Sequence, residues 1–225
     1  MTLRRAVHPA LIFSLLLGIS PATLFADQEF YKKQYTFTVN TFTPRIPSWT
    51  RHLSEFKGKP GITYLEIGAF EGRSALWMLE NIFTHPTSKL TIIDAFMENN
   101  YNKFVSNVKL SGEESRFNVL KGFSTQKIRE VAFNSVDVAY IDGSGRGIVM
   151  MSDIVNAWSL VKVGGVIIIS RYAITPQLRR AGGLQPGDPG PHEAIDAFLK
   201  LYGPYLNVIE FQRNQVFVRK TRSAE

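Results

Sequence analysis

At 225 residues the chain is long enough to bury one sizeable core, and two full domains would be cramped. It has no cysteine, which excludes disulfides, thiolate metal sites and cysteine nucleophiles, and its four histidines are too dispersed for a zinc helix carrying two of them one turn apart. The formal charge of +7 is scattered without a long basic run, so no nucleic-acid interface is expected.

The N-terminus has the order of a secretory signal peptide. Arg4 and Arg5 precede the apolar run ALIFSLLLGI, Ala10 to Ile19, which is followed by Ser20, Pro21 and a small-residue stretch ending at Ala26. The run is short of the about 20 residues a membrane span needs. Export to the periplasm or medium is therefore expected, with cleavage after Ala26 first and Ala22 second. Leu24 is larger than the residue preferred three positions before the cut, which leaves an uncleaved membrane anchor as the alternative. The expected organisation is a signal peptide over 1–26, a leader with one helix over 27–60 and one main domain over 61–221.

In the leader, IPSWTRHLSEF sets Trp49, Leu53 and Phe56 at helical spacing between Pro47 and Gly58, predicting a helix packed on the edge of a sheet. Strand and helix patterns then alternate. Strands are expected at 62–68, 90–94, 117–121, 136–141 and 166–170, with helices near 74–83, 101–110, 125–132 and 149–160. That alternation predicts a Rossmann-like doubly wound α/β sheet. After a helix at 192–202 come YLNVIEF and QVFVRK, joined by only Gln212, Arg213 and Asn214. So short a link cannot hold a crossover helix, so these strands must be antiparallel. The Gly- and Pro-rich stretch Arg179 to Pro191 sits where an active-site lid could lie.

The stretch YLEIGAFEGRS, Tyr64 to Ser74, carries the first chemical signal. Ligands of open parallel sheets bind beyond the carboxyl ends of the strands, where Glu66, Gly68 and Gly72 fall. The glycine spacing is not that of a dinucleotide cradle, because Glu66 stands at the first glycine position and three residues separate Gly68 from Gly72. A carboxylate there suits an ammonium or sulfonium rather than a phosphate. Asp94 ends the second strand, placed to accept from both hydroxyls of a ribose, with a helix cap as the plainer alternative. A positively charged nucleoside satisfies both features.

From about Tyr64 to Lys220 the sequence resembles the class I S-adenosylmethionine-dependent methyltransferases. Within them it is similar to a bacterial family of small enzymes with YLEIG.FEG.S, IDGSH and AIDAFL motifs. This chain reads YLEIGAFEGRS, YIDGSG at Tyr140 to Gly145, DIVNAWSLVKVGGVIII at Asp153 to Ile169 and AIDAFLKLY at Ala194 to Tyr202. The resemblance implies S-adenosyl-L-methionine as cofactor, with Glu66, Gly68, Ala69 and Gly72 at its methionine end, Asp94 at its ribose, Phe123 and Ser124 near its adenine and Asp142 beside it. It departs from the family at the transfer site, where the histidine and the acidic pair are replaced by Gly145, Ser170 and Arg171. One carboxylate beside a guanidinium is a poor Mg²⁺ site, so no metal is expected, and Asp142 and Arg171 are expected to pair.

These features predict methyl transfer to an oxygen of a small-molecule, sugar or lipid acceptor without metal. Asp142, His192 and Arg171 are the candidate catalytic residues: Asp142 as first and His192 as second candidate for the base. Tyr172 could shape the acceptor pocket. The main alternative is an exported binding module that keeps the fold and has lost transfer, consistent with the missing histidine and acidic pair. An aminopropyl transferase is weaker, because the fourth strand lacks a second aspartate to hold an amine.

Overall fold

The structure is a computed structural model that describes residues 28–96, 98–173, 185, 187–212 and 214–223. The expected signal peptide and most of the expected lid lie outside the described residues. Helix α1 is Ile46–Leu53. The main domain then runs β1 Thr63–Ile67, α2 Arg73–Asn81, β2 Lys89–Asp94, α3 Glu98–Ser111, β3 Phe117–Lys121, α4 Ser124–Lys127, β4 Val136–Ile141, α5 Gly147–Leu160 and β5 Val161–Ser170. It ends with α6 Pro191–Tyr202, β6 Leu206–Phe211 and β7 Gln215–Lys220.

The strands form one sheet in the order β3-β2-β1-β4-β5-β7-β6. Pairing is parallel from β3 through β5 and antiparallel for β5–β7 and β6–β7, as the short final link requires. Alternation along each strand sends neighbours to opposite faces, so each central strand contributes to two cores. Tyr64, Leu90, Ile92, Val138, Tyr140 and Ile168 meet Trp49, Trp77 and Phe104 on one face. Leu65, Ile67, Ile93, Ile141 and Ile167 meet Met150, Ile154 and Phe198 on the other. Helices therefore cover both faces, the arrangement that near-continuous apolar strands demand.

Three elements differ from the sequence expectation. Helix α1 lies over the middle of the sheet, because fully buried Trp49 packs edge-on against Tyr140 of β4 at 4.7 Å and donates to Gln215 of β7 at 3.1 Å. The helix expected over 125–132 stops at Lys127 and continues as a single 3-10 turn, Ile128–Glu130. Ile128 is its one deeply buried residue, too little apolar surface to hold several turns. Strand β5 starts five residues earlier than expected, at Val161, passing through Gly164 at φ +86°.

Candidate active site

The carboxyl ends of the five parallel strands converge on a cavity of about 630 Å³. Gly68 enters it from β1, Asp94 from β2, Phe123 and Ser124 after β3, Asp142 after β4 and Arg171 after β5. A parallel sheet places its ligand crevice there.

Gly68 has φ +89°, and a Cβ on it would stand 2.6 Å from the Asp142 carbonyl oxygen. The absence of a side chain at Gly68 therefore lets the chain's own backbone come close, with Asp142 N–H donating to the Ile67 carbonyl at 2.8 Å. Asp94 is fixed from both sides. Its Oδ2 accepts from Phe70 N–H at 2.9 Å and its Oδ1 from Phe96 N–H at 2.7 Å. Each oxygen keeps a further acceptor site, enough for two hydroxyls. Phe123, 68% exposed, offers an uncovered aromatic face on the cavity wall.

Glu66 does not reach the cavity. It is fully buried, and its carboxyl accepts from the Tyr64 hydroxyl at 3.1 Å and from the Ser74 hydroxyl. Burial pushes it up to about 8, opposed by those two hydroxyl donors. Its place is below the floor, tying β1 to α2. Ala69 lines a small side pocket next to the main cavity rather than the cavity itself. Gly72 takes φ +85° at the start of α2, where a Cβ would meet the Phe104 ring at 3.0 Å. It serves the turn and its packing.

Asp142 and Arg171 pair as expected, and a second arginine joins them. Arg171 Nε lies 2.9 Å from Asp142 Oδ1, while its Nε and Nη2 also donate to the Asp142 carbonyl at 3.1 and 2.9 Å. Arg45 Nη1 approaches Asp142 Oδ2 at 3.2 Å and the Tyr140 hydroxyl at 2.5 Å. Tyr140 in turn donates to Asp142 Oδ2 at 2.6 Å, its hydroxyl held well above its ordinary value by burial and then by the Asp142 charge. Both carboxylate oxygens are thus committed between two guanidiniums. Arg171 holds this position at φ +69°, a conformation that costs a non-glycine residue about 1–3 kcal/mol. Ser170, at the other acidic position of the family, is fully buried and does not line the cavity. No cluster of three or more metal-ligating side chains occurs among the described residues.

His192 stands at the start of α6 with its Nδ1 3.1 Å from Glu193 and its ring 6.4 Å from that of Tyr172. Among the described residues it is not brought to the cavity wall, and neither is Tyr172, whose hydroxyl donates to Asp196 at 3.0 Å.

The segment before α1, read as a leader, closes one wall. Val39 and Thr41 line the cavity, and Arg45 reaches Asp142. Three side chains of α2, α3 and the turn between β1 and α2 strap the segment down. Buried Glu71 accepts from Thr38 N–H and hydroxyl, both at 2.6 Å, and pairs with Lys103 at 3.0 Å. Glu80 accepts from the Tyr35 hydroxyl at 2.7 Å and Lys32 N–H at 2.6 Å. Asn107 exchanges two hydrogen bonds with Thr36. A signal was present in the sequence: acids at 71, in the turn before α2, and at 80, near the end of that largely apolar helix, require partners once buried.

A further buried acid underlies the site. Asp153 of α5 is 1% exposed, and neither oxygen has a partner in bonding geometry among the described residues, although the Ser124 hydroxyl is near enough to oppose the effect of burial. Burial pushes it up to about 6.

Residues 65–170 match the model of a family described as a methyltransferase domain. No curated protein is similar enough to match the chain. Among solved structures, cofactor-bound Rv0187 from MTB is 18% identical with a TM-score of 0.60, over 97% of this chain and 100% of that one. The O-methyltransferase TomG from Streptomyces achromogenes, involved in tomaymycin synthesis and solved with S-adenosylmethionine, is 13% identical with a TM-score of 0.61, over 94% and 95%. The O-methyltransferase from Bacillus cereus, solved with S-adenosylhomocysteine, is 18% identical with a TM-score of 0.59, over 93% and 96%. At these identities the likeness is one of fold.

Proposed function

We propose that the chain, whose residues 65–170 match the model of a methyltransferase-domain family, is a class I S-adenosylmethionine-dependent methyltransferase that transfers a methyl group to an oxygen of a small-molecule, sugar or lipid acceptor without a metal. The observation that carries this reading is the cavity over β1 to β5, with Asp94 and Phe123 on its wall. The residues present fit the cofactor. Asp94, held by two backbone amides, has acceptor capacity left for a ribose, and exposed Phe123 offers a face for an adenine. Val39, Thr41 and Arg171 lie on the same cavity and would border the acceptor. Bound there, the cofactor supplies an electrophilic methyl on a sulfonium, and the protein's tasks are alignment and exclusion of water.

Metal independence is supported by the Arg45–Asp142–Arg171 arrangement. A divalent cation would have to displace two guanidiniums from one carboxylate. A labelled-methyl transfer assay with and without a chelator tests this: an unchanged rate is expected, and loss of activity restored by Mg²⁺ refutes it. A second reading, cofactor binding without transfer, is favoured by the commitment of both Asp142 oxygens. Tight cofactor binding with no turnover on any acceptor would establish it. Export rests on the residue order of 1–26 alone; among the described residues no helix is long and apolar enough to cross a membrane.

A further inference from the structure

We propose, resting on the methyltransferase reading, that the acceptor carries a carboxylate and that this carboxylate is the methylated group, giving a methyl ester. The cavity is built for an anion. Arg146 and Arg171 both line it. Arg146 precedes α5 and is exposed, and its side chain has no hydrogen-bond or ion-pair partner among the described residues. Arg171 commits Nε and Nη2 to Asp142, leaving Nη1 for another acceptor. The 14-residue helix α5 opens onto the same cavity through Arg146 and Val149, and its first turn holds no acidic residue; Gly147 N–H donates to the neutral Pro189 carbonyl at 2.8 Å, so no charge there offsets the partial positive charge of the helix start.

The two carboxylates that line the cavity among the described residues are already used. Asp142 lies between Arg45 and Arg171, and Asp94 is bound by two amides on the side assigned to the ribose. Among the described residues the same inventory leaves no uncommitted base on the cavity wall to take a proton, buried Asp153 lying beneath it. A neutral alcohol must lose its proton as it is methylated, which calls for a base within hydrogen-bond reach. Among the described residues His192 is off the cavity wall, both Asp142 oxygens are engaged, and Thr41, Ser124 and Ser144 offer only hydroxyls.

A carboxylate needs no base. One oxygen is held by a guanidinium in a charge-assisted hydrogen bond while the other attacks the methyl carbon. The new O–C bond forms as the C–S bond breaks, the electron pair of that bond stays on sulfur, and the products are an ester and a neutral thioether. No proton moves. Positive charge at the cavity thus selects the acceptor by its reacting group.

The test uses the protein loaded with S-adenosylhomocysteine and titrated by calorimetry with benzoate, phenyl phosphate, benzamide and benzyl alcohol at millimolar concentration. In parallel, labelled S-adenosylmethionine is supplied and products are treated with alkali, which frees methanol from an ester and not from an ether. Benzoate should bind and the two neutral analogues should not. Arg146→Gln should weaken benzoate binding by about ten- to a hundredfold, the scale of a hydrogen bond between charged groups, and more than it weakens S-adenosylhomocysteine. The labelled product should be alkali-labile. Benzoate that does not bind the loaded protein, or that binds Arg146→Gln equally well, overturns the proposal. So does preference for phenyl phosphate, or an alkali-stable product from benzyl alcohol. Failure to bind S-adenosylhomocysteine at all overturns the methyltransferase reading itself.

Discussion

Replacing Glu66 by Gln removes an ionisable group from beneath the site while keeping an oxygen for the Tyr64 or Ser74 hydroxyl. In the folded protein this carboxyl titrates near 8 rather than its ordinary 4.5, because burial disfavours its charge. A folded value above the unfolded one means that the native state binds more protons between the two, so the stability Glu66 contributes is full below pH 4.5 and is lost as pH rises to about 8. The shift spans about 3.5 units at ~1.36 kcal/mol each, an upper bound of about 5 kcal/mol. The group is fully buried, so solvent screening does not reduce this figure. Urea unfolding of both proteins across that window measures it, provided m stays constant. Asp153, raised in the same sense, is present in both and cancels in the difference. The variant should lose less stability than the wild type as pH rises. Parallel curves for the two proteins would refute the claim that Glu66 is a buried floor residue and return it to the list of cofactor ligands.

Arg45→Met should cost about 1.5–3 kcal/mol of unfolding free energy, the range for hydrogen bonds to charged groups, since it strips Tyr140 and Asp142 of a half-buried donor. Denaturant titration measures it, and a change within the ~0.5 kcal/mol typical of a plain surface substitution would show that Arg45 does not hold the site. For export, N-terminal sequencing of protein from a secreting bacterial host should begin at Asp27 or, second, Thr23. An intact Met1 on soluble cytosolic protein would contradict it.

Most of the fold could be read in advance because it rests on local pattern. Apolar runs such as Val166 to Ile169 mark strands buried on both faces, and the link from Phe211 to Gln215 dictates an antiparallel pair. Asp94 was legible as well, since a carboxylate at the carboxyl end of β2 must face the crevice once its two oxygens are caught by neighbouring amides. Glu66 was misread because position along a strand does not say which way a side chain turns. One step away, on the opposite face, Ile67 is the residue that meets the cavity. The leader was hidden for another reason. Thr38 and Tyr35 find Glu71 and Glu80 across 33 and 45 residues of sequence, and no local pattern encodes such pairing. Arg45 meeting Asp142 across 97 residues is the same case, and with it went the second guanidinium that defines the charge of the site.

Titration calorimetry with S-adenosylhomocysteine, on wild type and on Asp94→Ala, tests most directly whether the cavity over β1 to β5 holds the cofactor. Wild type should bind at one site, and Asp94→Ala should weaken binding by about 1.5–3 kcal/mol, the loss of hydrogen bonds to a charged group. Equal binding by both proteins, or no binding by wild type, would contradict the account.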